Sequence, residues 1–383
     1  MFIYLDNAAT TFKKPLKTYL ELFKSLTFYN ANPSRGSHKQ SIKAGLKVYD
    51  CREHIKNFFK APTESNVVYT YNCTEAINYA LTGTLNNNDH VISTVYNHNA
   101  VTRTLYNLEK TKNIKQSVAQ PNSYGYITIK EIENLVNKNT KLIVITHTSN
   151  VTGTTTNLSE IGNYCKKHNI IFMVDCAQSA GHEHINVEEN NINLLCIAGH
   201  KGLYGTQGIG ALIVNNCSPS PIKFGGSGSD SSSPLMPNYY PEKLEAGTIN
   251  LPGIMALDGG ISFVEKNFNK IQGKTIKLTS LLLNFLRSNN NFIIYTSKPN
   301  SGVISFNLKN KTTQEVVDYL NQNNVYVRGG LHCTPQTHTF LNTLNSGGTV
   351  RVSISYFNTT KQIKKLITLL KKIAWLFQAI FMF

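Results

Sequence analysis

Six short apolar runs, at 67–70, 91–95, 142–146, 170–174, 194–198 and 211–214, punctuate the first part of the chain. Each is long enough for a strand and too short for a helix, and apolar residues at consecutive positions suit strands covered on both faces. Helix-length stretches at 74–85, 98–110 and 158–168 lie between several of them. Strands that alternate with helices pair in parallel, because a parallel pair needs a crossover that returns the chain to the same end of the sheet. The pattern therefore predicts an α/β architecture of three layers, a mainly parallel sheet covered by helices. A strand-like segment at 2–5 precedes it. Past a helical stretch near 251–265, a Lys- and Asn-rich segment leads to strand-like runs at 301–308, 325–328 and 349–355, with helical stretches at 313–323 and 361–383. That is a second, smaller α+β unit. With 383 residues and 41% apolar composition the chain can fill both cores. The division expected is 14–260 for the large unit, with 1–13 and 261–383 forming the small one. The Gly- and Ser-rich run at 225–233 reads as a mobile loop within the large unit, and there are no internal repeats.

A formal net charge of +16 invites a nucleic-acid role. The lysines, however, are scattered among asparagines, with no basic block and no zinc-finger spacing, so nucleic acid is not an expected partner. Seven cysteines, at 51, 73, 165, 176, 196, 217 and 333, include no C-x-x-C pair. Neither a disulfide framework nor a metal site is suggested, and a reducing compartment fits best. The N-terminus lacks the basic-then-apolar pattern of a signal peptide, which makes the cytoplasm the expected location. At the other end, 361–372 carries apolar residues at helical spacing and 374–383 is almost wholly apolar. A bilayer span needs about 20 apolar residues, so no transmembrane segment is expected. A terminal helix docked on the small unit is the first reading, and contact with a membrane surface or a second subunit the others.

In open α/β sheets ligands collect at the carboxyl ends of the strands, where four loops carry reactive residues. Tyr71-Asn72-Cys73-Thr74-Glu75-Ala76 joins a strand to a helix that Thr74 can cap, and free backbone N–H groups around Cys73 and Thr74 suit a phosphate. The next loops hold His98 and His147-Thr148-Ser149-Asn150; an imidazole can stack on a flat ring and relay protons, and Asn150 can hold a ring oxygen or a carboxylate. Asp175 ends an apolar run, and a buried carboxylate there needs a cationic partner. Lys201 stands in Gly199-His200-Lys201-Gly202-Leu203-Tyr204-Gly205, one expected strand–helix–strand step later. A lysine in a crowded, partly dry site can lose its proton and form an imine with an aldehyde. Pyridoxal 5'-phosphate supplies such an aldehyde, and its protonated pyridine nitrogen would be the partner Asp175 lacks.

This order of phosphate loop, stacking His, Asn, Asp-x-x-Gln and Lys resembles the fold-type I pyridoxal phosphate enzymes of aminotransferase class V. Within that class the chain is similar to the cysteine desulfurases and selenocysteine lyases. The matching motifs are Tyr4-Leu5-Asp6-Asn7-Ala8-Ala9-Thr10-Thr11, Asn32-Pro33-Ser34-Arg35-Gly36, Val174-Asp175-Cys176-Ala177-Gln178, Gly199-His200-Lys201, Glu245-Ala246-Gly247-Thr248 and Arg328-Gly329-Gly330-Leu331-His332-Cys333, spread from residue 4 to about 358. The resemblance implies that Lys201 is the Schiff-base lysine, that Asp175 pairs with the pyridine nitrogen, and that Gln178 contacts the ring hydroxyl. It also implies that His98 stacks on the ring, and that Cys73, Thr74 and His200 hold the phosphate. Thr248 would reach the phosphate of a neighbouring subunit, implying a homodimer with shared sites. Asn150 and Arg351 match a substrate-carboxylate pair, and Arg328 and His332 would lie beside the substrate.

Cys333 distinguishes the subclasses. It lies in a polar loop beside His332 and five residues after Arg328, neighbours whose positive charge suits a nucleophilic sulfur. The short Arg-x-Gly-x-His-Cys loop resembles the second cysteine desulfurase group. The activity implied is conversion of L-cysteine to L-alanine, with Lys201 and His98 moving protons and a persulfide left on Cys333 for an acceptor protein, for instance toward iron-sulfur cluster assembly. Selenocysteine lyase is the alternative; a class V aminotransferase and a non-catalytic sulfur-transfer scaffold are the others. Two positions depart from the family pattern. Ala198 stands where a phosphate-binding Ser or Thr is usual, and Thr206 where a proline is.

Overall fold

The computed structural model describes residues 2–34, 36–299 and 302–380, the last five of these by their backbone alone. Strand β1 (Ile3–Tyr4) and helices α1 (Leu16–Thr27) and α2 (Lys39–Phe58) precede the main sheet. Its strands and covering helices follow as β2 (Asn66–Thr70), α3 (Cys73–Thr84), β3 (His90–Thr94), α4 (Asn99–Lys112), β4 (Lys115–Ala119), α5 (Ile129–Glu133), β5 (Thr140–Thr146), α6 (Leu158–Lys167), β6 (Ile171–Asp175), β7 (Leu194–Ala198) and β8 (Gly210–Val214). Then come α7 (Leu251–Arg287), β9 (Phe292–Ile294), β10 (Val303–Leu308), α8 (Thr313–Gln322), β11 (Val325–Tyr326), β12 (Arg328–Gly330), α9 (Pro335–Phe340), β13 (Thr349–Ser353) and α10 (Thr360–Ile380).

The main sheet is ordered β2-β8-β7-β6-β5-β3-β4, parallel throughout except for β8, which runs antiparallel to both neighbours. Successive residues of one strand serve opposite faces. Leu142 and Val144 enter a core with Ala76 and Leu105, whereas Ile143 and Ile145 enter the opposite one with Ile161 and Leu257. Burial on both faces is why the central strands read as continuous apolar runs, each buried aliphatic side chain contributing about 1.5–3 kcal/mol. The α/β architecture expected from those runs is the one observed. One strand escapes that reading and one local expectation fails. β4 lies at the sheet edge and is half exposed, so it carries too few apolar residues to be read as a strand. The connection between β6 and β7, expected to hold a helix, is a succession of turns.

A smaller sheet, β12-β13-β10-β9, is antiparallel and packs with α8, α10 and the end of α7 around Leu282, Phe306, Val350 and Leu366. β1 adds to β11 in parallel, which brings the N-terminal segment to this part of the molecule. The expected boundary at 260 falls inside α7, a single 37-residue helix. Gly259 and Gly260 sit in its first third because a Cβ would stand 2.7 Å from the Lys17 carbonyl oxygen and 2.0 Å from that of Leu203. The terminal helix α10 docks as expected through Ile363, Leu366, Leu370 and Ile373, while Trp375 is 66% exposed. No helix among the described residues is long and apolar enough to cross a membrane.

Candidate active site

Lys201 follows β7 in a tight turn. The Gly205 N–H returns to the Gly199 carbonyl at 2.8 Å, and a Cβ on Gly205 would meet that carbonyl oxygen at 2.9 Å. The turn is fastened from outside by the N-terminal segment. Thr11 Oγ1 donates to the carbonyl oxygens of His200 and Lys201, both at 3.1 Å, and Lys14 Nζ to that of His200 at 2.9 Å. Burial pushes the Lys14 ammonium down to about 8. Lys201 itself is half-buried, and its desolvation lowers its pKa against the opposing pull of Asp175.

Asp175 ends β6 and is 4% exposed. Its Oδ1 accepts from the Ala177 N–H at 2.9 Å and from Cys73 Sγ at 3.6 Å. Across from it α3 begins. Asn72, not Thr74, caps that helix, accepting from the Glu75 N–H at 2.9 Å. Cys73 and Thr74 are thereby the first helical residues, whose N–H groups have no partner within the helix. His98 caps α4, its Nδ1 accepting from the Ala100 N–H at 3.0 Å, which leaves its proton on Nε2. Burial lowers the His98 pKa, with Asp175 opposing and Lys201 reinforcing, so the ring is neutral. Cys73, Thr74, His98, Asn150, Asp175, Gln178, Ala198, His200 and Lys201 line one cavity of about 210 Å³. Gln178 Nε2 donates to the Ala8 carbonyl at 2.9 Å, and burial pushes His200 down to about 4.

Residues of the smaller sheet close the site. Arg328 Nη2 lies 3.7 Å from Cys333 Sγ, and the Cys333 carbonyl accepts from the Asn99 N–H, next to His98, at 2.7 Å. Asn150 is committed to the same loop: its Nδ2 donates to the His332 carbonyl at 2.7 Å, and its Oδ1 accepts from Thr334 Oγ1 at 2.9 Å. Arg351, 1% exposed, donates to the Asn150 carbonyl at 3.2 Å and pairs with Asp6 at 2.7 Å. One expectation reverses. His332 does not lend charge to Cys333, because its Nε2 engages Thr349 and burial, with Arg351, pushes its pKa down to about 2. Both His332 and Cys333 have positive φ, 48° and 59°, and their side chains engage different partners, Thr349 and Arg328. Thr248 lies outside the Lys201 cavity on an exposed segment. Glu245 anchors that segment, accepting from the Tyr69 N–H and from Arg52. Arg35 lies outside the described residues.

The cavity fits pyridoxal phosphate by its donor set. It offers a lysine whose charge burial disfavours, a buried carboxylate with one oxygen fixed by the protein, a neutral imidazole, and unpartnered N–H groups at a helix start. Residues 3–366 match the profile of the Aminotransferase class-V family. A probable cysteine desulfurase of Borreliella burgdorferi is 31% identical, over 97% of this chain and 91% of that protein. The chain belongs to the cysteine desulfurase family. A cysteine desulfurase of Wigglesworthia glossinidia brevipalpis is 30% identical, over 97% and 92%. Among solved structures, the apo cysteine desulfurase of Thermococcus onnurineus superposes with a TM-score of 0.86 at 26% identity, covering 97% of this chain and 94% of that one. Against this family background, Asp6, Thr11 and Lys14 are the contributors that motif reading missed. The segment that holds Asp6 and Thr11 was legible as a family mark and Lys14 lies just past it, but nothing in the spacing reveals that these residues clamp Arg351 and the Lys201 turn.

Proposed function

We infer that the chain is a pyridoxal phosphate-dependent cysteine desulfurase that converts L-cysteine to L-alanine and takes the sulfur as a persulfide on Cys333. The observation that supports this most is the meeting of two chemistries: the Lys201–Asp175 cavity, and the Arg328–Cys333 loop hydrogen-bonded beside His98. Pyridoxal phosphate, when bound, supplies an aldehyde for the substrate amine and a ring that draws electrons from the substrate Cα. Lys201, Asp175, Gln178, His98, His200 and the helix start at Cys73 and Thr74 are the residues suited to hold it. Lys201 is suited to take the Cα proton, because burial disfavours its charged form. Arg351 offers a guanidinium to the substrate carboxylate, and Asn150 backs it. Cys333 attacks the substrate sulfur: an S–S bond forms, the C–S bond breaks, and its electron pair stays on the carbon, which becomes the alanine methyl after gaining a proton. Lys201, as the ammonium left by taking the Cα proton, can donate that proton, while neutral His98 offers a hydrogen-bond donor at Nε2. The persulfide then passes to the thiol of an acceptor protein.

Thr248, exposed and outside its own chain's cavity, supports a homodimer in which it reaches the phosphate of the second copy. All seven cysteines are free, which suits a reducing cytoplasm. The test is a single turnover of the holoprotein with L-cysteine and no acceptor, which should yield one alanine per persulfide. Cys333→Ser should form neither, while the cofactor's absorbance still responds to L-cysteine. Failure of the unaltered chain to release alanine would overturn the reading.

A further inference from the structure

Arg351 heads the wholly buried side chains by size, and a guanidinium out of water requires a counter-ion. That counter-ion comes from the chain itself. Asp6 Oδ1 stands 2.7 Å from Arg351 Nη2, on a carboxylate 21% exposed to solvent. Nη1 donates to the Asn150 carbonyl at 3.2 Å, and Nε, though buried, has no acceptor among the described residues. A substrate carboxylate arriving at Arg351 therefore meets an arginine already neutralised, with its Nε–H unspent. Asp6 is not part of the strands or loops that build the cavity. It reaches Arg351 from the N-terminal segment, which lies against β13 through the Asp6–Ser353 bridge.

We propose that Asp6 is the resident counter-ion of the substrate-carboxylate arginine, a positioning residue that keeps Arg351 in place and competes with the incoming amino acid for its guanidinium. This rests on the reading of Arg351 as the carboxylate-binding residue. Removing the charge while keeping the shape, as in Asp6→Asn, leaves a buried cation without its anion. The vacancy is best filled by a ligand carboxylate.

The test uses the holoenzyme and follows the cofactor's absorbance during titration with L-alanine and with ethylamine, which lacks the carboxylate. Asp6→Asn should bind L-alanine about tenfold more tightly, a free-energy change of about 1.4 kcal/mol, and ethylamine as before. Its KM for L-cysteine should fall by a similar factor, with kcat altered less than about twofold. Its melting temperature should drop, and L-alanine should restore it where ethylamine does not. Asp6→Glu, which keeps the charge, should behave as the unaltered chain does. Arg351→Gln separates the two ideas. If it binds L-alanine normally, the assignment of Arg351 fails, and the role of Asp6 with it. If it binds L-alanine weakly while Asp6→Asn binds it equally or less tightly than the unaltered chain, or tightens ethylamine just as much, the role of Asp6 alone is overturned.

Discussion

Burial changes what Lys201 can do, since the cost of keeping an ammonium in a partly desolvated cavity opposes the attraction of Asp175. A lysine poised to shed its proton can take another, and a guanidinium cannot. Lys201→Arg should therefore retain the fold and lose alanine formation by about 10²–10⁴, the span that a positioned proton-transfer group contributes. Single-turnover alanine release measures this, and activity within tenfold of the unaltered chain would remove Lys201 from proton transfer. At this scale the sequence was informative where chemistry demands a residue type. Lys201, Asp175 and Cys333 stand out by type and neighbours. It was uninformative where a residue acts through someone else's backbone: Thr11 and Lys14 matter for the carbonyls of the 200–201 turn, and no pattern in residues 4–14 encodes that meeting. His332 misled for a related reason. Adjacency in sequence promised a charged neighbour for Cys333, but the imidazole is buried against Thr349.

The elements show the same division. Strands buried on both faces were legible as apolar runs, whereas β4, polar because it is an edge, was not. α7 was legible only in part, since adjacent glycines weaken helix propensity, and the reason for them is contact with the Lys17 and Leu203 carbonyls. The loop carrying Cys333 is held as an element, by the Asn99 N–H on its carbonyl, by Asn150 between His332 and Thr334, and by Thr337 Oγ1 on the Val95 carbonyl at 2.7 Å. A rigid placement of the thiol follows, and rate depends steeply on such placement. Thr334→Val keeps the volume and removes the bond to Asn150 Oδ1. It should slow persulfide formation about tenfold with little change in KM for L-cysteine. Rapid-quench measurement of Cys333 persulfide decides it, and an unchanged rate with a raised KM would place Thr334 in substrate binding instead.

Across the whole molecule, histidines are held neutral in both cores. Burial pushes His147, His182 and His338 from an ordinary 6.5 to about 4, and His332, also through Arg351, to about 2. All four are less than a tenth exposed. In the unfolded chain each takes up a proton as the pH falls through about 6.5, while the folded protein refuses it until about 4 or below. The unfolded state therefore binds more protons in that window, and linkage makes stability fall with falling pH there. Above about 6.5 both states hold these rings neutral, so the contribution is complete and flat. Each ring adds a slope of up to about 1.4 kcal/mol per pH unit, lost from 6.5 down to its folded pKa. Because His147 and His182 belong to the large-sheet side and His332 and His338 to the small-sheet side, acid should weaken both cores together rather than peel one away. The urea midpoint of the holoprotein should hold steady from pH 8 to 7 and then drop continuously between 6.5 and 4. His182→Asn, which removes one imidazole, should make that descent shallower by about one proton's worth. A midpoint that stays level from pH 7 to 4 would mean that these rings are solvated well enough to charge within the fold.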